Sequence, residues 1–465
     1  MDAETNAESN HQTESLYEKQ EKIHAREVEG TFDRFRDIAT VGLLGVYYLF
    51  PWFQWTGRQA VLFDLPARKF YIFGITLWPQ DFIYLTWLLI MAALLLFFAT
   101  SIAGRVWCGY ACPQTVWTNA FVWMERITEG KFNKRIKLDK NKYTAEWWAR
   151  KAAKRTLWFA FALWTGFTFV GYFTPIRELG IRMVTFNLGG WETFWVAFYS
   201  FATYANAGHM REQVCKYMCP YARFQSAMFD RDTLIVSYDP GRGEPRGGRK
   251  RGVNPGDVGL GDCTDCNICV QVCPTGIDIR KGLQYECITC ASCVDACDGV
   301  MDRMGYERGL IRYTTQHALE GKPTRFLRPK TLIYGTLLSL LFVTFCISIM
   351  SRMPLQLDVI RDRNALYRTL SDGRVENVYT LKLLNKTEQP QQFRLEVSGL
   401  PGITIETDPT NPTLEAGGVG SIAARVQVDP EAVRAGGHEV VFSAQRFDDA
   451  ELSVSRESRF ILPSR

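Results

Sequence analysis

The sequence predicts an α-helical membrane protein that also carries a cysteine-rich cytoplasmic segment and an all-β carboxyl-terminal domain. Three observations predict it. Five stretches lack charge over something near the roughly 20 residues a bilayer crossing needs. A C-x-x-C-x-x-C-x-x-x-C run occurs twice between residues 263 and 297. The chain from Leu355 onward alternates in short β-like runs broken by turn formers.

The uncharged stretches are Ala39 to Gly57, Phe82 to Ala103, Thr156 to Pro175, Thr193 to Gly208 and Thr331 to Ser351. The mean hydropathy of −0.11 hides them, because the rest of the chain is strongly polar. The second and fifth are apolar all round, whereas a helix of a soluble core shows a polar face within that length. The fourth is short and follows Glu192. Residues 1–36 are charged and rich in Gln, Glu and Lys, with no apolar core of a signal peptide, and are expected to be a disordered cytoplasmic tail. Connections rich in Lys and Arg stay on the cytoplasmic side during insertion. Residues 105 to 155 carry twelve, against three between the first and second stretches and two between the third and fourth. About five transmembrane helices, an amino terminus in the cytoplasm and a carboxyl-terminal domain in the periplasm follow, with membrane lipid as the first partner.

The strongest chemical signal lies on the cytoplasmic side of that map. Cys263, Cys266, Cys269 and Cys273 form the first cysteine run, and Cys287, Cys290, Cys293 and Cys297 the second. Two residues between cysteines let a tight loop set three thiolates round one face of an iron-sulfur cubane, and in two-cluster proteins the fourth cysteine of each run serves the other cluster. One cluster then takes Cys263, Cys266, Cys269 and Cys297, the other Cys287, Cys290, Cys293 and Cys273. The competing assignment is a pair of zinc sites, for which triplets leave surplus ligands. Some 40 residues here resemble bacterial two-cluster ferredoxins, which implies two 4Fe-4S clusters. The second run ends Cys297-Asp298 where the first ends Cys273-Pro274, so its local turn is expected to differ.

Four more cysteines form a duplicated motif. The strings RVWCGYACP (105–113) and REQVCKYMCP (211–220) each follow an even-numbered apolar stretch and place Cys108, Cys112, Cys215 and Cys219 in C-x-x-x-C-P repeats. Were each repeat helical, its cysteines would share a face, and the proline suits the first turn of a following helix. Val116, Trp117, Ala120, Phe121, Met124 and Ile127 read as an apolar face lying at the membrane interface. Thiolates prefer soft metals such as Cu(I) and zinc. Unpaired cysteine is also a common buried apolar residue, and Cys346, inside the last stretch, is read that way. His209, Met210 and Met218 are near in sequence, with His209 read as an interfacial residue.

The β-like runs include residues 379–384, 393–397 and 439–443, separated by turn formers at 385–387, 399–402 and 417–418, and suggest an Ig-like sandwich. Taken together, the arrangement resembles the CcoG (FixG/RdxA) family of cytochrome c oxidase accessory proteins, polyferredoxin-type membrane proteins related to the quinol-oxidising NapH type. The Ig-like domain after a fifth helix is what separates the former from the latter. The resemblance implies a protein of the bacterial inner membrane that reduces Cu(II) to Cu(I) in support of cbb(3)-type cytochrome c oxidase assembly. Copper is then the substrate, with Cys108, Cys112, Cys215 and Cys219 as its candidate catalytic site, and oxidase-assembly or copper-delivery proteins are partners. The alternatives are a quinol dehydrogenase subunit passing electrons to a periplasmic partner, and a non-enzymatic assembly or metal-storage factor.

The expected organisation is a tail (1–36), a four-helix membrane domain (37–230), a basic linker (231–260), the two-cluster segment (261–300), a cytoplasmic connection (301–330), the fifth helix (331–351) and the periplasmic domain (352–465). An electron donor is expected in the cytoplasm and is not encoded here, since the glycines at 241–248 lack the flanking strand and helix of a dinucleotide fingerprint. Arg242 to Arg251 read as a basic stretch attracted to anionic lipid. A net charge of +5 gives no reason to expect a nucleic-acid partner.

Overall fold

The computed structural model describes residues 23–362, 365–387, 389–447 and 449–463. The chain divides into two compact units, one built from residues before 74 and 79–341, the other from 74–78 and residues after 341.

Helices dominate the first unit. Its long members are α1 (Thr31–Leu49), α2 (Phe82–Ala103), α4 (Pro113–Glu129) and α6 (Ala145–Val170). The short α3 (Val106–Tyr110), α5 (Phe132–Lys140), α7 (Ile176–Val184), α8 (Gly190–Thr203) and α9 (Pro220–Ala227) connect them. Every uncharged stretch of the sequence falls on helix, but the boundaries move. The helix of the first stretch begins at Thr31 and gives way after Leu49 to a turn and short strands, and that of the third begins at Ala145. The helices start in charged sequence because backbone hydrogen bonding continues past the apolar window wherever charges can reach partners or water. Among the described residues, two helices are long and apolar enough to cross a membrane, α2 and the helix Pro329–Met350. The expectation of about five rests on the other three stretches, whose helices are shorter or more polar.

Close packing in this unit follows small residues. A Cβ on Gly166 of α6 would stand 2.5 Å from Val196 O and 2.8 Å from Ser200 N of α8, so only glycine lets these backbones meet. The face Val116, Phe121 and Met124 of α4 is buried, with Phe121 and Met124 packed against Trp158 and Ala162 of α6. That corrects the expected interface-lying helix: the apolar face is covered by protein, and only Ile127, 60% exposed, points away.

The expected disordered tail is corrected over residues 23–36. Arg26 N donates to Gln271 O at 2.8 Å, and Glu27 pairs with Arg135 at 2.8 Å. The first-turn amides of α1 are capped from a distant element: Phe32 N and Asp33 N donate to the Asp295 carboxylate at 3.2 and 2.8 Å. Residues 1–22 of that tail lie outside the described residues.

The linker and the connection also prove to be structure. Ile235–Tyr238 pairs antiparallel with Ile311–Thr314, and this ribbon covers the cysteine segment with Val236, Tyr238, Leu310 and Ile311 buried against it. Arg242 donates to Arg308 O at 2.9 Å and pairs with Asp262, and Arg249 Nε donates to the Tyr306 hydroxyl at 2.8 Å. These arginines are tied to the cysteine-rich fold, where the sequence reading had assigned them to lipid.

In the second unit, two antiparallel sheets form an Ig-like sandwich. One has the order 404–408, 419–428, 375–385, 355–361, and the other 413–414, 391–398, 436–446, 449–462. Alternate residues point inward, so that Leu357, Leu381, Leu383, Val426, Phe442 and Phe460 are all at most 1% exposed. Tyr379, equally buried, carries its hydroxyl to Arg459 O at 2.9 Å.

Candidate functional site

Each cysteine run folds as a loop leading into a helix. The first leads into the single turn Ile268–Gln271, the second into the helix Ser292–Met304. The two loops share a backbone signature, with positive φ at Asp265 and Asn267 in one and at Thr289 and Ala291 in the other, all between 50° and 57°. Non-glycine residues held there cost free energy, and successive turns of this kind aim amides into a concavity suited to an anionic group. The loops differ where the sequence departs. Cys297 and Asp298 lie inside a continuous helix that a proline would break, and Asp298 accepts from Gly309 N at 2.9 Å. Cys273 and Pro274 follow a helix that has already ended.

The eight thiols gather round two small cavities. Cys263, Cys266, Cys269 and Cys297 line one, with Tyr238, Leu310 and Ile311. Cys273, Cys287, Cys290 and Cys293 line the other, with Val236, Ile277 and Ile279, and Cys269 reaches both. The fourth cysteine of each run thus sits with the other run's triplet. Burial pushes the Cys297 thiol up to about 12, with Cys269 and Cys263 adding to it. Burial also drives Cys293 upward, reinforced by Cys290, Cys287 and Cys273. Two sets of buried thiols that disfavour one another's ionisation in apolar walls suit a cationic iron-sulfur core, whose positive charge would favour their thiolate form. Among the described residues, no three His, Cys, Asp or Glu side chains stand close enough to hold a single metal ion. Of the eight thiols, Cys266 alone is exposed.

The C-x-x-x-C-P repeats are not continuous helices, and the expected shared face is corrected accordingly. Cys108 lies in α3, but Cys112 is extended, with ψ 129°, ahead of Pro113 at the start of α4. Cys215 lies in a wide helical turn, Val214–Met218, and Cys219 is again extended ahead of Pro220 and α9. A proline excludes the preceding residue from helical backbone. The four thiols nevertheless act on one another electrostatically across the two repeats. Burial pushes Cys108 up to about 11, opposed by Arg105 and aided by Cys112 and Cys219; burial, then Cys112 and Cys108, pushes Cys215 to about 12. His209 is engaged by the rings of Trp158 and Tyr204.

This second group abuts the Cys273, Cys287, Cys290, Cys293 cavity. Cys108 packs with Ile288 and Cys290, and a Cβ on Gly109 would lie 2.8 Å from Ile288 O and 3.1 Å from Cys290 N. A larger cavity joins the two groups, touching Cys215 on one wall and Ile288 and Cys290 on another, with Arg36, Gln114 and Arg211 between. Three polar residues here escaped the sequence reading. Arg105, 2% exposed, donates to Tyr285 O and stands 3.9 Å from Cys108 Sγ; Gln225, fully buried, accepts from Cys108 Sγ at 3.2 Å. Arg36 donates to Ser292 Oγ, itself 3.5 Å from Cys290 Sγ. A basic residue preceding the first cysteine of each repeat was the available signal.

Comparison with known proteins supports the iron-sulfur assignment independently. A family profile described as a 4Fe-4S dicluster domain matches residues 210–316, one described as a 4Fe-4S binding domain matches 84–135, and one described as the IG-like fold at the carboxyl terminus of FixG matches 345–463. The nitrogen fixation protein FixG of Rhizobium meliloti is 40% identical over 84% of this chain and 82% of its own. The chain belongs to the FixG/RdxA family. Protein RdxA of Cereibacter sphaeroides is 42% identical over 84% of this chain and 85% of its own, and RdxB of the same organism 42% over 87% and 89%. A crystal structure of a FixG-related protein from Vibrio parahaemolyticus aligns at 33% identity with 24% of this chain and 97% of its own, with a TM-score of 0.22. This FixG/RdxA protein is therefore an iron-sulfur electron-transfer protein with an Ig-like carboxyl-terminal domain. The 84–135 match, described as a 4Fe-4S binding domain, spans Cys108 and Cys112.

Proposed function

We propose that this protein is a multi-pass inner-membrane cupric reductase, passing single electrons from a cytoplasmic donor to Cu(II) and yielding Cu(I) for assembly of a cbb(3)-type oxidase. The observation that carries the reading is the contact of Cys108 and Gly109 with the Cys290 loop, which sets a soft-metal donor set directly against one of two cluster sites. When bound, the two cubanes supply one-electron storage and transfer. The protein's own residues do the rest. Exposed Cys266 marks the side open to a soluble donor, and Cys269, common to both cavities, joins the two sites. Copper would be taken up at Cys108, Cys112, Cys215 and Cys219, which would have to draw closer together for three of them to share one ion, and thiolates favour the cuprous product over the cupric substrate, which adds driving force to Cu(II) + e⁻ → Cu(I). The Lys and Arg counts support placing these sites on the cytoplasmic side and the Ig-like domain outside. Partners there are expected to be oxidase-assembly or copper-delivery proteins.

The test is anaerobic. The purified, cluster-loaded protein is reduced with dithionite, freed of excess reductant, and mixed with Cu(II) or with a quinone. Reoxidation by Cu(II) with one chelatable Cu(I) per electron is expected, slowed in a Cys108→Ser, Cys215→Ser double variant of unchanged iron content. Reoxidation by quinone alone would transfer the assignment to quinol chemistry, and inertness toward both would leave assembly or storage.

A further inference from the structure

Ahead of α1, residues 23–30 form neither helix nor strand, and none of them is buried. They are nevertheless tied to both cysteine runs. Arg26 donates from its backbone N to Gln271 O at 2.8 Å and from its guanidinium to Gln271 Oε1 at 3.3 Å. Ile23 lies so near the end of the first run that a Cβ on Gly276 would stand 2.7 Å from its Cδ1. Where the stretch enters α1, Phe32 N and Asp33 N bond the Asp295 carboxylate. Gln271 and Asp295 hold the same place in their runs, two residues after the third cysteine. One extended strap therefore crosses from one cluster site to the other.

Its middle is fastened to α5. The Glu27 carboxylate accepts from Phe132 N on both oxygens, at 3.1 and 3.0 Å, and pairs with Arg135 at 2.8 Å; Ala25 O accepts from Arg135 Nη2 at 2.9 Å. Polar bonds rather than apolar burial thus hold the strap, against the conformational entropy of an ordered irregular backbone. Water can replace each of these partners once the strap lifts. Segments with few buried apolar contacts are the ones that open locally while the rest of a fold stays closed.

Under the strap lies a cavity of about 170 Å³, in the size class, roughly 150 Å³, that admits a small ring. Ile23, Ala25, Arg26 and Val28 line it together with Cys215 and Cys290. Much of the remaining lining comes from helices and from the cysteine runs, whose apolar faces are buried in the cores of the unit. The strap is the wall that can move. We propose that residues 23–30 are a lid that opens to admit small solutes to the cavity at Cys215 and Cys290, with Glu27 as its latch. That a copper ion reaches Cys215 by this route rests on the cupric reading above; the opening itself does not.

Alkylation reads the lid without copper. The cluster-loaded full chain in detergent is exposed anaerobically to iodoacetamide, and mass spectrometry follows Cys215, with Cys219, which does not line the cavity, as internal reference. Glu27→Ala is expected to speed labelling of Cys215 by about tenfold or more, since losing one hydrogen bond to a charged group shifts an opening equilibrium by about that factor. Cys219 labelling and iron content should stay as in the parent. Hydrogen exchange on the unaltered chain gives a second reading that survives a variant that fails to fold: the Arg26 and Phe132 amides should exchange at least about tenfold faster than those of strand 235–238. An unmoved Cys215 rate in Glu27→Ala, an equal rise at Cys219, loss of iron, or strap amides as protected as the strand each overturns the proposal. Failure of copper reduction would leave these rates unmoved, and a strap that never opens would leave the cupric reading standing.

Discussion

Gly109→Ala tests the contact between the two redox groups at the scale of one methyl. Glycine at this position lies in the five-residue helix α3, and the added Cβ would meet three backbone atoms: Ile288 O at 2.8 Å, Cys290 Cα at 3.0 Å and Cys290 N at 3.1 Å. None of these can rotate aside. Ordinary contact begins at 3.4 Å, so α3 and the Cys290 loop must part by several tenths of an ångström. Overpacking of this kind costs about 1–3 kcal/mol. Alanine returns up to about 1 kcal/mol of helix propensity, and less in so short a helix, so the contact cost wins and a net loss of about 1–2 kcal/mol is expected. The measurement is thermal unfolding in detergent on protein of matched iron content, together with the rate of cluster reoxidation by Cu(II). Slower reoxidation with intact clusters is expected. A variant as stable and as fast as the parent would mean that the Cys108–Cys290 contact neither holds the fold nor carries the electron.

Three further outcomes are expected. Anaerobic reconstitution should load close to eight irons per chain, as two cubanes require, and Cys273→Ser should damage the cluster held by Cys287, Cys290 and Cys293; about twelve irons would assign a third cluster to the C-x-x-x-C-P thiols. Glu125→Gln should destabilise the helical unit by about 3–5 kcal/mol, because it strands Arg211, paired at 2.7 Å, in an interior where Glu125 is fully buried, while Lys154 loses its 3.4 Å partner but keeps Glu129 at 2.6 Å; denaturation of detergent-solubilised protein reads the loss, and an unchanged midpoint would show the network to be dispensable. A reporter active only in the periplasm should work after Ser351 or at the carboxyl terminus and stay silent near Thr144 or Arg249, with activity at Arg249 pointing to a different number of crossings.

What the chain announces by itself is whatever repeats at short range. Cysteine spacing sets which thiols one loop can bring together, alternation along residues 379–384 and 439–443 sets which side chains a strand turns inward, and α2 has no polar face for water at all. Those properties need only neighbours in sequence, so the cysteine runs, the β domain and the apolar helices were legible. The boundaries were less so: Ile235–Tyr238 and Ile311–Thr314 become strands only because they find each other across 72 intervening residues. Likewise Asp295 caps α1 from 262 residues away, turning part of a charged tail into structure. Arg105 is the clearest case. In sequence it is one of twelve basic residues in a connection; in the fold it is a buried cation with no carboxylate partner among the described residues, set between two groups of thiols. Charge has a sign in sequence but acquires its energy from what surrounds it, and the surroundings of Arg105 come from α9, the Tyr285 turn and the Cys290 loop, which only the tertiary structure brings to it.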